Sequence, residues 1–365
     1  MSHEMKHDLK KVSAAFEIAG DFIHAEPYGS GHINDTYAAS FSQGGTPVRY
    51  IFQRINHNIF KTPPALMENI ERVTSHQQKK LASAGDASRK ALSLIKTRCG
   101  RAYSNDDEGN YWRSYIFVEK AKTYDIIETP DQAFQAARAF GEFQKTLVDL
   151  PGGRLLETIP DFHNTPKRYA ALEEAIQRDV KNRAAECKAE IEFTMKRKEV
   201  AGLLIDMCAK GEIPERITHN DTKLNNVMID DTTNEGICVI DLDTVMPGLV
   251  HYDFGDLVRT STSPAAEDEK DLSKVKMQMN MFEGLIKGYL ESAGAFLTPR
   301  EKEYLPFAGK LITLEIGVRF LTDFLMGDVY FKTKRPEHNL DRCRTQFKLV
   351  QSIGEQEDKM ASFIR

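Results

Sequence analysis

The first part of the chain alternates apolar and polar positions as β-strands do. The stretch "FIHAEPYGSGHINDTYAASF" is typical of two extended segments around a glycine-broken turn, and "VRYIFQRIN" mixes β-branched and aromatic residues. One helical stretch follows, with Leu66, Ile70 and Val73 on a single face and an end at Gly85. The segment "ALSLIKTRCGRAYSNDDEGNYWRSYIFVEK" then predicts two strands joined by a hairpin turn at "DDEGN".

Beyond Lys122 the apolar positions recur with helical spacing. The segment "TPDQAFQAARAFGEFQKTLVDL" predicts a helix with Pro130 in its first turn. Thr298 to Glu301 form a capping-box pattern that predicts the start of another helix. A short pair of strands is predicted around residues 226–242, and the charged run "EDEKDLSK" predicts a solvated helix start.

The composition is that of a soluble globular protein, with 41% hydrophobic and 28% charged residues in a chain of 365, a length that favours two domains. A net charge of −5 gives no reason to expect a nucleic-acid partner and disfavours a membrane surface. Five scattered cysteines without C-x-x-C spacing indicate reduced thiols rather than a disulfide framework or a zinc site. We therefore expect a cytoplasmic protein, and its oligomeric state stays open.

The polar stretch "ITHNDTKLNNVMID" carries the strongest chemical signal. It spaces His219, Asp221 and Asn226 as H-x-D-x-x-x-x-N, and an apolar strand ends in Asp241 fifteen residues later. Phosphoryl transfer needs one carboxylate for the proton of the nucleophile, and an amide oxygen and a second carboxylate for Mg²⁺. We therefore predict Asp221 as the base and Asn226 and Asp241 as metal ligands, with His219 structural. The alternative is a hydrogen-bonded loop without chemistry, and Asn225 and Asp243 are each either ligand or support.

Two further features suit nucleotide binding. Gly29 and Gly31 lie between two predicted strands, where a loop backbone could approach phosphate, although a plain hairpin turn would look the same. Backbone groups from Glu119 to Ala121, between the two parts of the chain, are expected to contact the adenine edge.

A phosphate-binding lysine is missing from its expected strand. The strand "YIFQRIN" offers Gln53 and Arg54 at that place, and no lysine. Arg54 could supply the charge if it faces inward, and Glu68 or Glu71 on the following helix could pair with it.

The motifs "THNDTKLNN", "IDLD" and "DFGDLVR" together resemble the aminoglycoside phosphotransferase and choline kinase superfamily. The H-R-D and A-P-E elements of protein kinases are absent. The resemblance implies that Asp253 is a structural brace for the catalytic loop. With the order of elements, it predicts an α+β, kinase-like two-lobed fold. Residues 1–120 would form a nucleotide-binding lobe of small mixed β-sheet and one main helix, and residues 121–365 a larger helical lobe with the catalytic loop and substrate pocket.

Within that superfamily the chain resembles the bacterial N-acetylhexosamine 1-kinases, in "EPYGSGHIN", "IDLDTVMPG", "RFLTDFLMGDVYF" and "PEHNLDRCRTQFKLV". The resemblance implies phosphorylation of the anomeric 1-hydroxyl of N-acetylglucosamine or N-acetylgalactosamine, with ATP and Mg²⁺ as cofactors. It also implies that His32, Arg319 and Tyr330 contact the sugar. The plainer interpretation makes Arg319 a surface ion pair and Tyr330 a core aromatic residue.

Two alternatives remain at this stage. The same fold could act on another acceptor, namely choline or ethanolamine, an aminoglycoside or a different sugar. Alternatively, because the lysine is missing, the chain could be an inactive sensor of nucleotide or sugar.

Overall fold

The computed structural model describes residues 6–29, 33–82 and 87–364. In chain order, the strands are β1 (Asp21–Pro27), β2 (Asp35–Gln43), β3 (Thr46–Ile55), β4 (Leu94–Ile95), β5 (Ser104–Asn105), β6 (Tyr111–Ile116), β7 (Ala121–Lys122), β8 (Arg216–Thr218), β9 (Val227–Asp230), β10 (Gly236–Val239) and β11 (Met246–Gly248). The helices are α1 (Leu9–Ser13), α2 (Pro63–Ala82), α3 (Ala87–Lys90), α4 (Pro130–Thr146), α5 (Thr165–Arg178), α6 (Lys188–Met195), α7 (Leu203–Ala209), α8 (Val250–Ser261), α9 (Met279–Ala293), α10 (Pro299–Glu303), α11 (Leu305–Met326), α12 (His338–Gly354) and α13 (Glu357–Ala361).

These elements fall into two compact units. The sheet unit comprises the chain up to Lys122 together with Asp149–Ile159 and Met228–Met246. The helical unit comprises Thr123–Val148, Pro160–Val227 and the chain from Pro247 onward. Strands dominate the first unit and helices the second, which confirms the α+β class.

The main sheet of the sheet unit has the strand order β1-β2-β3-β6-β4, and β5 also pairs with β6. In the antiparallel register of β3 and β6, Gln53 lies opposite Arg113 and Arg54 lies opposite Trp112. Because side chains alternate along a strand, Gln53 and Arg113 share one face of the sheet, and Arg54 and Trp112 share the other.

The face that contains Trp112 is covered by the N-terminal segment. Leu9 on α1 and Phe16 after it are buried in the same hydrophobic cluster as Phe52 and Trp112. The charged appearance of this segment gave no prediction of its role, because the apolar residues that reach the sheet are spread among polar ones; they are Leu9, Val12, Ala15, Phe16 and Ile18. Burial of these apolar side chains is what holds the segment in place.

Helices α4 and α9 of the helical unit touch through their backbones. A Cβ atom at Gly284 would lie 2.3 Å from the carbonyl oxygen of Pro130, and one at Gly288 would lie 2.1 Å from that of Phe134. No side chain fits at either distance, so glycine sets the spacing of this helix pair. The pair matters for the loop of Asp221, because α4 also carries Gln144.

Two predictions about helix starts have opposite outcomes. The capping box is confirmed, since the hydroxyl of Thr298 accepts the Glu301 N–H at 3.1 Å and the Glu301 carboxylate accepts the Thr298 N–H at 2.7 Å. The helix start in "EDEKDLSK" is wrong, because only a 3₁₀ turn at Leu272–Lys274 forms there. Glu267 is paired with Arg259 and Asp268 with His338, so these acids fix a loop instead.

Among the helices described here, none combines the length and the apolar character needed to cross a membrane.

Candidate active site

Asp221 and Asn226 lie on one short loop of the helical unit, between β8 and β9. Asn226 donates its amide N–H to the backbone oxygen of Asp221 at 2.8 Å and to Asp221 Oδ2 at 3.3 Å. Lys223 Nζ lies 2.7 Å from Asp221 Oδ1. The structure therefore brings the predicted base and one predicted metal ligand together. It also shows Lys223 beside them, which the sequence analysis did not assign to the site. Its position two residues after Asp221 was the available signal.

The electrostatic surroundings keep Asp221 ionised. Burial acts to raise the pKa of Asp221, but the charges of Lys223, His219 and Arg259 hold it below its ordinary value. Burial likewise acts to lower the pKa of Lys223, and the carboxylates of Asp221 and Asp256 raise it instead. A carboxylate that is charged at neutral pH can orient and accept the proton of a hydroxyl nucleophile.

Asp253 supports this loop from α8. Its fully buried carboxylate accepts the backbone N–H groups of His219 at 2.9 Å and Asn220 at 2.7 Å, and the side-chain amide of Gln144 at 2.6 Å. Burial raises the pKa of Asp253, against the effect of these donors. Asn220 has a φ of 65°, in the left-handed region. The residue before Asp221 thus has an uncommon conformation, and its N–H and that of His219 both donate to the one carboxylate of Asp253.

His219 is buried beneath the same loop. Its ring packs edge-on against Phe140 and Phe143, with centroid distances of 5.3 and 5.8 Å. Its Nδ1 atom accepts the backbone N–H of Asp221 at 3.3 Å. These contacts orient the loop backbone.

A cavity of about 260 Å³ lies in the helical unit beside Lys223. Its charged lining residues are Lys223 and Arg259 together with Asp125 and Glu267. The amides of Asn225 and Gln346 also line it, and no aromatic residue is among the described residues that do. The side-chain oxygens of both amides are buried, and no donor in the described part of the chain reaches them. A ligand that brings O–H or N–H groups would satisfy them.

In the sheet unit, Asp241 lies at the end of the β10 segment with a left-handed backbone, φ 59° and ψ 58°. Two residues later, Asp243 forms a buried ion pair with Arg113 and accepts the side-chain N–H of Asn34 at 2.6 Å. Asp243 is therefore a support for its turn, one of the two roles left open. Aspartate adopts this left-handed conformation more readily than most residues, so Asp241 can begin the turn that Asp243 fixes.

Arg54 is not on the face of Arg113 and Asp243. It lies on the opposite face of the sheet, where its Nε donates to Asp35 at 2.7 Å. Glu71, one of its expected partners, pairs with Lys96 instead. The condition that Arg54 faces inward is not met, because the strand alternation directs Gln53 to that side.

The other residues predicted to bind nucleotide lie in the following places. Gly29 has a φ of 79°, which glycine adopts without strain, while Gly31 lies outside the described residues. The Glu119 side chain pairs with Arg49, and its carbonyl oxygen accepts an N–H of Arg89 at 3.0 Å. Ala121 belongs to β7, opposite Asp230 in β9.

The predicted sugar contacts Arg319 and Tyr330 lie together in the helical unit. The Arg319 guanidinium carbon lies 5.4, 5.8 and 5.6 Å from the ring centres of Phe162, Tyr330 and Phe331. Tyr330 is 65% exposed, so it is not a core residue. The third predicted contact, His32, lies outside the described residues.

Asp323 fixes the backbone that carries Tyr330. Its 5% exposed carboxylate accepts the N–H groups of Val329 at 2.9 Å, Tyr330 at 2.8 Å and Phe331 at 2.9 Å. Sequence reasoning missed this residue, because a helical aspartate gives no sign that a later loop will fold back onto it.

The donor chemistry fits a hard cation. In residues 6–29, 33–82 and 87–364, no three His, Cys, Asp or Glu side chains form a group that could hold a metal. Mg²⁺ does not require such a group, because it is commonly bound by one or two protein oxygens together with water and phosphate. The hydrogen bonds of Asn226 use its amide nitrogen and leave the amide oxygen available.

Comparisons with known proteins agree with this chemistry. The profile of the phosphotransferase enzyme family (APH) matches residues 24–301. An aminoglycoside phosphotransferase from Alicyclobacillus acidocaldarius has a similar structure, with a TM-score of 0.63, 12% identity, and coverage of 99% of this chain and 96% of that one. A microcompartment-associated aminopropanol kinase has a TM-score of 0.58, 15% identity, and coverage of 98% and 99%. Aminoglycoside 2′-phosphotransferase-IIIa in its GDP complex has a TM-score of 0.51, 14% identity, and coverage of 93% and 94%.

These likenesses confirm the predicted kinase-like fold. The match to the family profile covers most of the chain and includes both the loop of Asp221 and the turn of Asp241. The chain therefore belongs to the phosphotransferase enzyme family.

Proposed function

We propose that the chain transfers the γ-phosphoryl group of ATP to the anomeric 1-hydroxyl of an N-acetylhexosamine, N-acetylglucosamine or N-acetylgalactosamine. The observation that carries the acceptor class is the cavity beside Lys223. Two buried amide oxygens that lack donors, next to two fixed cations, suit a neutral ligand with several O–H or N–H groups. The sequence resemblance to the N-acetylhexosamine 1-kinases supports the same acceptor.

The lining of the cavity disfavours a quaternary ammonium acceptor. A quaternary ammonium such as choline is bound best in a cage of aromatic rings. The rings around Arg319 already surround its guanidinium, and the described lining of the cavity has none.

In the proposed reaction, the acceptor's 1-hydroxyl lies near the Asp221 carboxylate. The O–H bond breaks, its proton passes to Asp221, and the oxygen forms a bond to the γ-phosphorus. The bond from that phosphorus to the bridging oxygen breaks, and ADP leaves. Lys223 holds the carboxylate in place and adds positive charge beside the transferring group.

The metal ligands proposed from the sequence are Asn226 and Asp241, with Gly29 in the loop that covers the phosphates. Mg²⁺, when bound, neutralises charge on the phosphate oxygens. Arg319 offers a planar set of donors for sugar hydroxyls or the acetamido carbonyl, and Tyr330 offers an apolar face with a polar tip. The structure supports leaving Arg54 out of this site.

The test is ADP release from Mg·ATP with a panel of acceptors. The panel contains N-acetylglucosamine, N-acetylgalactosamine, glucose, galactose, choline, kanamycin and 1-deoxy-N-acetylglucosamine. Turnover of the N-acetyl sugars, with none of the 1-deoxy analogue, is expected. Turnover of choline or kanamycin alone would show that the proposed acceptor is wrong and that the proposed kinase activity is right.

A further inference from the structure

We infer that Arg113 takes over, from the neighbouring strand, the role of the missing lysine: it positions the turn of Asp241 for the Mg²⁺–nucleotide. This inference rests on the proposed function only for the nucleotide half of the reaction. It does not depend on the acceptor.

The first argument is register. Gln53 and Arg54 occupy the part of β3 where the lysine is expected, and Arg113 on β6 lies directly across the ladder from Gln53. Arg113 Nε donates to Gln53 Oε1 at 2.9 Å. On this face of the sheet β3 offers Gln53 and no cation, and the cation is present one strand away, hydrogen-bonded to Gln53.

The second argument is burial. Only 1% of Arg113 is exposed, and its guanidinium forms an ion pair with Asp243, which is 3% exposed. A guanidinium so deep in the sheet unit does not replace the lysine by contacting phosphate from solvent. It acts through the carboxylate it holds, which makes it a positioning residue.

The third argument is what the pair holds. Asp243 belongs to the short turn that begins at Asp241, whose backbone is left-handed. The second oxygen of Asp243 accepts the side chain of Asn34, and its carbonyl oxygen accepts the hydroxyl of Thr158 at 3.1 Å. Burial opposes the charge of Arg113, but the charges of Asp243 and Asp241 raise its pKa. One permanent cation thus anchors the turn, and through Asp243 it is linked to Asn34, immediately before β2.

The fourth argument is the support from α2. Asn69, fully buried on that helix, donates to the carbonyl oxygen of Val245 at 3.1 Å. The turn is therefore held by Arg113 of β6 at Asp243 and by Asn69 of α2 at Val245. A change at Arg113 releases one tie only, which allows the turn to shift while the sheet unit stays folded.

The experiment measures binding of a fluorescent ADP analogue as Mg²⁺ is titrated, which needs no acceptor. Arg113→Gln keeps a donor for Asp243 and removes the charge. The double variant Gln53→Lys with Arg113→Gln returns a cation to the β3 position. Arg98→Gln, at an exposed arginine of the same unit, is the matched control.

We expect R113Q to raise the Mg²⁺ concentration for half-saturation about tenfold, and the double variant to restore it to within about threefold of wild type. If Arg113 served only to keep the protein folded, a lysine at position 53 would not restore the Mg²⁺ dependence. A folded R113Q with wild-type Mg²⁺ dependence would overturn the inference, as would a folded double variant that stays weak.

If R113Q does not fold, the double variant alone decides, and failure of both to fold also overturns the inference. If the wild type binds Mg²⁺–nucleotide but phosphorylates no N-acetyl sugar, the proposed acceptor fails and the role of Arg113 stands.

Discussion

Lys223 Nζ lies 2.7 Å from Asp221 Oδ1, so the proposed base carries its own counter-cation. Both residues come from the same seven-residue loop segment, His219 to Asn225. In the proposed reaction Asp221 accepts the proton, and Lys223 adds positive charge beside the transferring group. The pair therefore separates two contributions that can be tested one at a time, the proton acceptor and the positive charge beside it.

Removal of the carboxylate charge at Asp221 should abolish turnover and leave nucleotide binding intact. For Asp221→Asn we expect kcat to fall on the order of 10²–10⁴-fold, because a positioned base contributes about that much. The measurement is steady-state ADP release, with binding of the fluorescent ADP analogue as the control for folding. Near-normal turnover would exclude Asp221 as the base.

Removal of the cation should slow the chemistry without weakening acceptor binding to the same degree. For Lys223→Met we expect kcat to fall roughly 10²-fold, the loss typical of one positioned donor in a transition state. Lys223→Arg, which keeps the charge, should retain more of the rate. If the two variants are equally impaired, the charge of Lys223 is not what matters.

Gln346→Met should weaken acceptor binding while the protein keeps or gains stability. The buried Gln346 oxygen has no donor within the described residues, and such an atom costs about 1–3 kcal/mol. Methionine removes that cost, and it also removes the acceptor for a substrate O–H, so we expect KM for the sugar to rise about 3- to 10-fold. The measurements are sugar KM and the thermal unfolding midpoint. A stabilised variant with unchanged KM would show that Gln346 does not contact the acceptor.

Asp323→Asn should act through Tyr330. The substitution replaces one carboxylate oxygen with an N–H group that faces backbone N–H donors at 2.8 to 2.9 Å. We expect KM for the sugar to rise about fivefold or more, as for loss of a hydrogen bond to a charged group. KM for ATP should stay constant. Asp206→Asn, at an exposed aspartate of α7, is the matched control, and Tyr330→Ala should reproduce the effect.

His251 should make the helical unit less stable in mild acid. Burial lowers the pKa of His251 to about 4, its Nε2 donates to the carbonyl of Glu301 at 2.9 Å, and its Nδ1 has no partner among the described residues. The unfolded chain therefore binds the proton first, at an ordinary pKa near 6.5. Stability from this group is complete above about pH 6.5 and is lost as the pH falls towards 4, by about 3 kcal/mol in total.

The check is denaturant unfolding across that pH range for wild type and His251→Gln, whose amide can keep the bond to Glu301. The variant should show a smaller fall in the free energy of unfolding between pH 6.5 and 4. Equal falls in the two proteins would assign the acid sensitivity to other groups.

Local patterns were sufficient where each residue acts on its near neighbours. The periodicity around Leu66 found α2, and the Thr298–Glu301 pattern found a real cap, because both depend on spacing within a few residues. The loop of Asp221 was equally visible, since its polar residues follow one another along the chain.

The sequence failed where a function depends on which strands lie side by side. Nothing in "YWRSYIF" shows that Arg113 lies opposite Gln53, because register is a property of two distant segments. For the same reason the direction of Arg54 could not be known before β3 was paired with its neighbours. The acids of "EDEKDLSK" were misassigned because their partners, Arg259 and His338, come from separate helices.

The missing side chains at Gly284 and Gly288 have a consequence well away from their own helix. They let α9 approach α4 closely. The side chain of Gln144 on α4 donates to Asp253 at 2.6 Å, and Asp253 in turn holds the backbone before Asp221. A single methyl group at position 288 would push α9 away from α4, and the shift of α4 would displace the loop that carries the proposed base. Loss of activity by that route would look like a catalytic defect in a screen, although the altered atom touches neither nucleotide nor sugar.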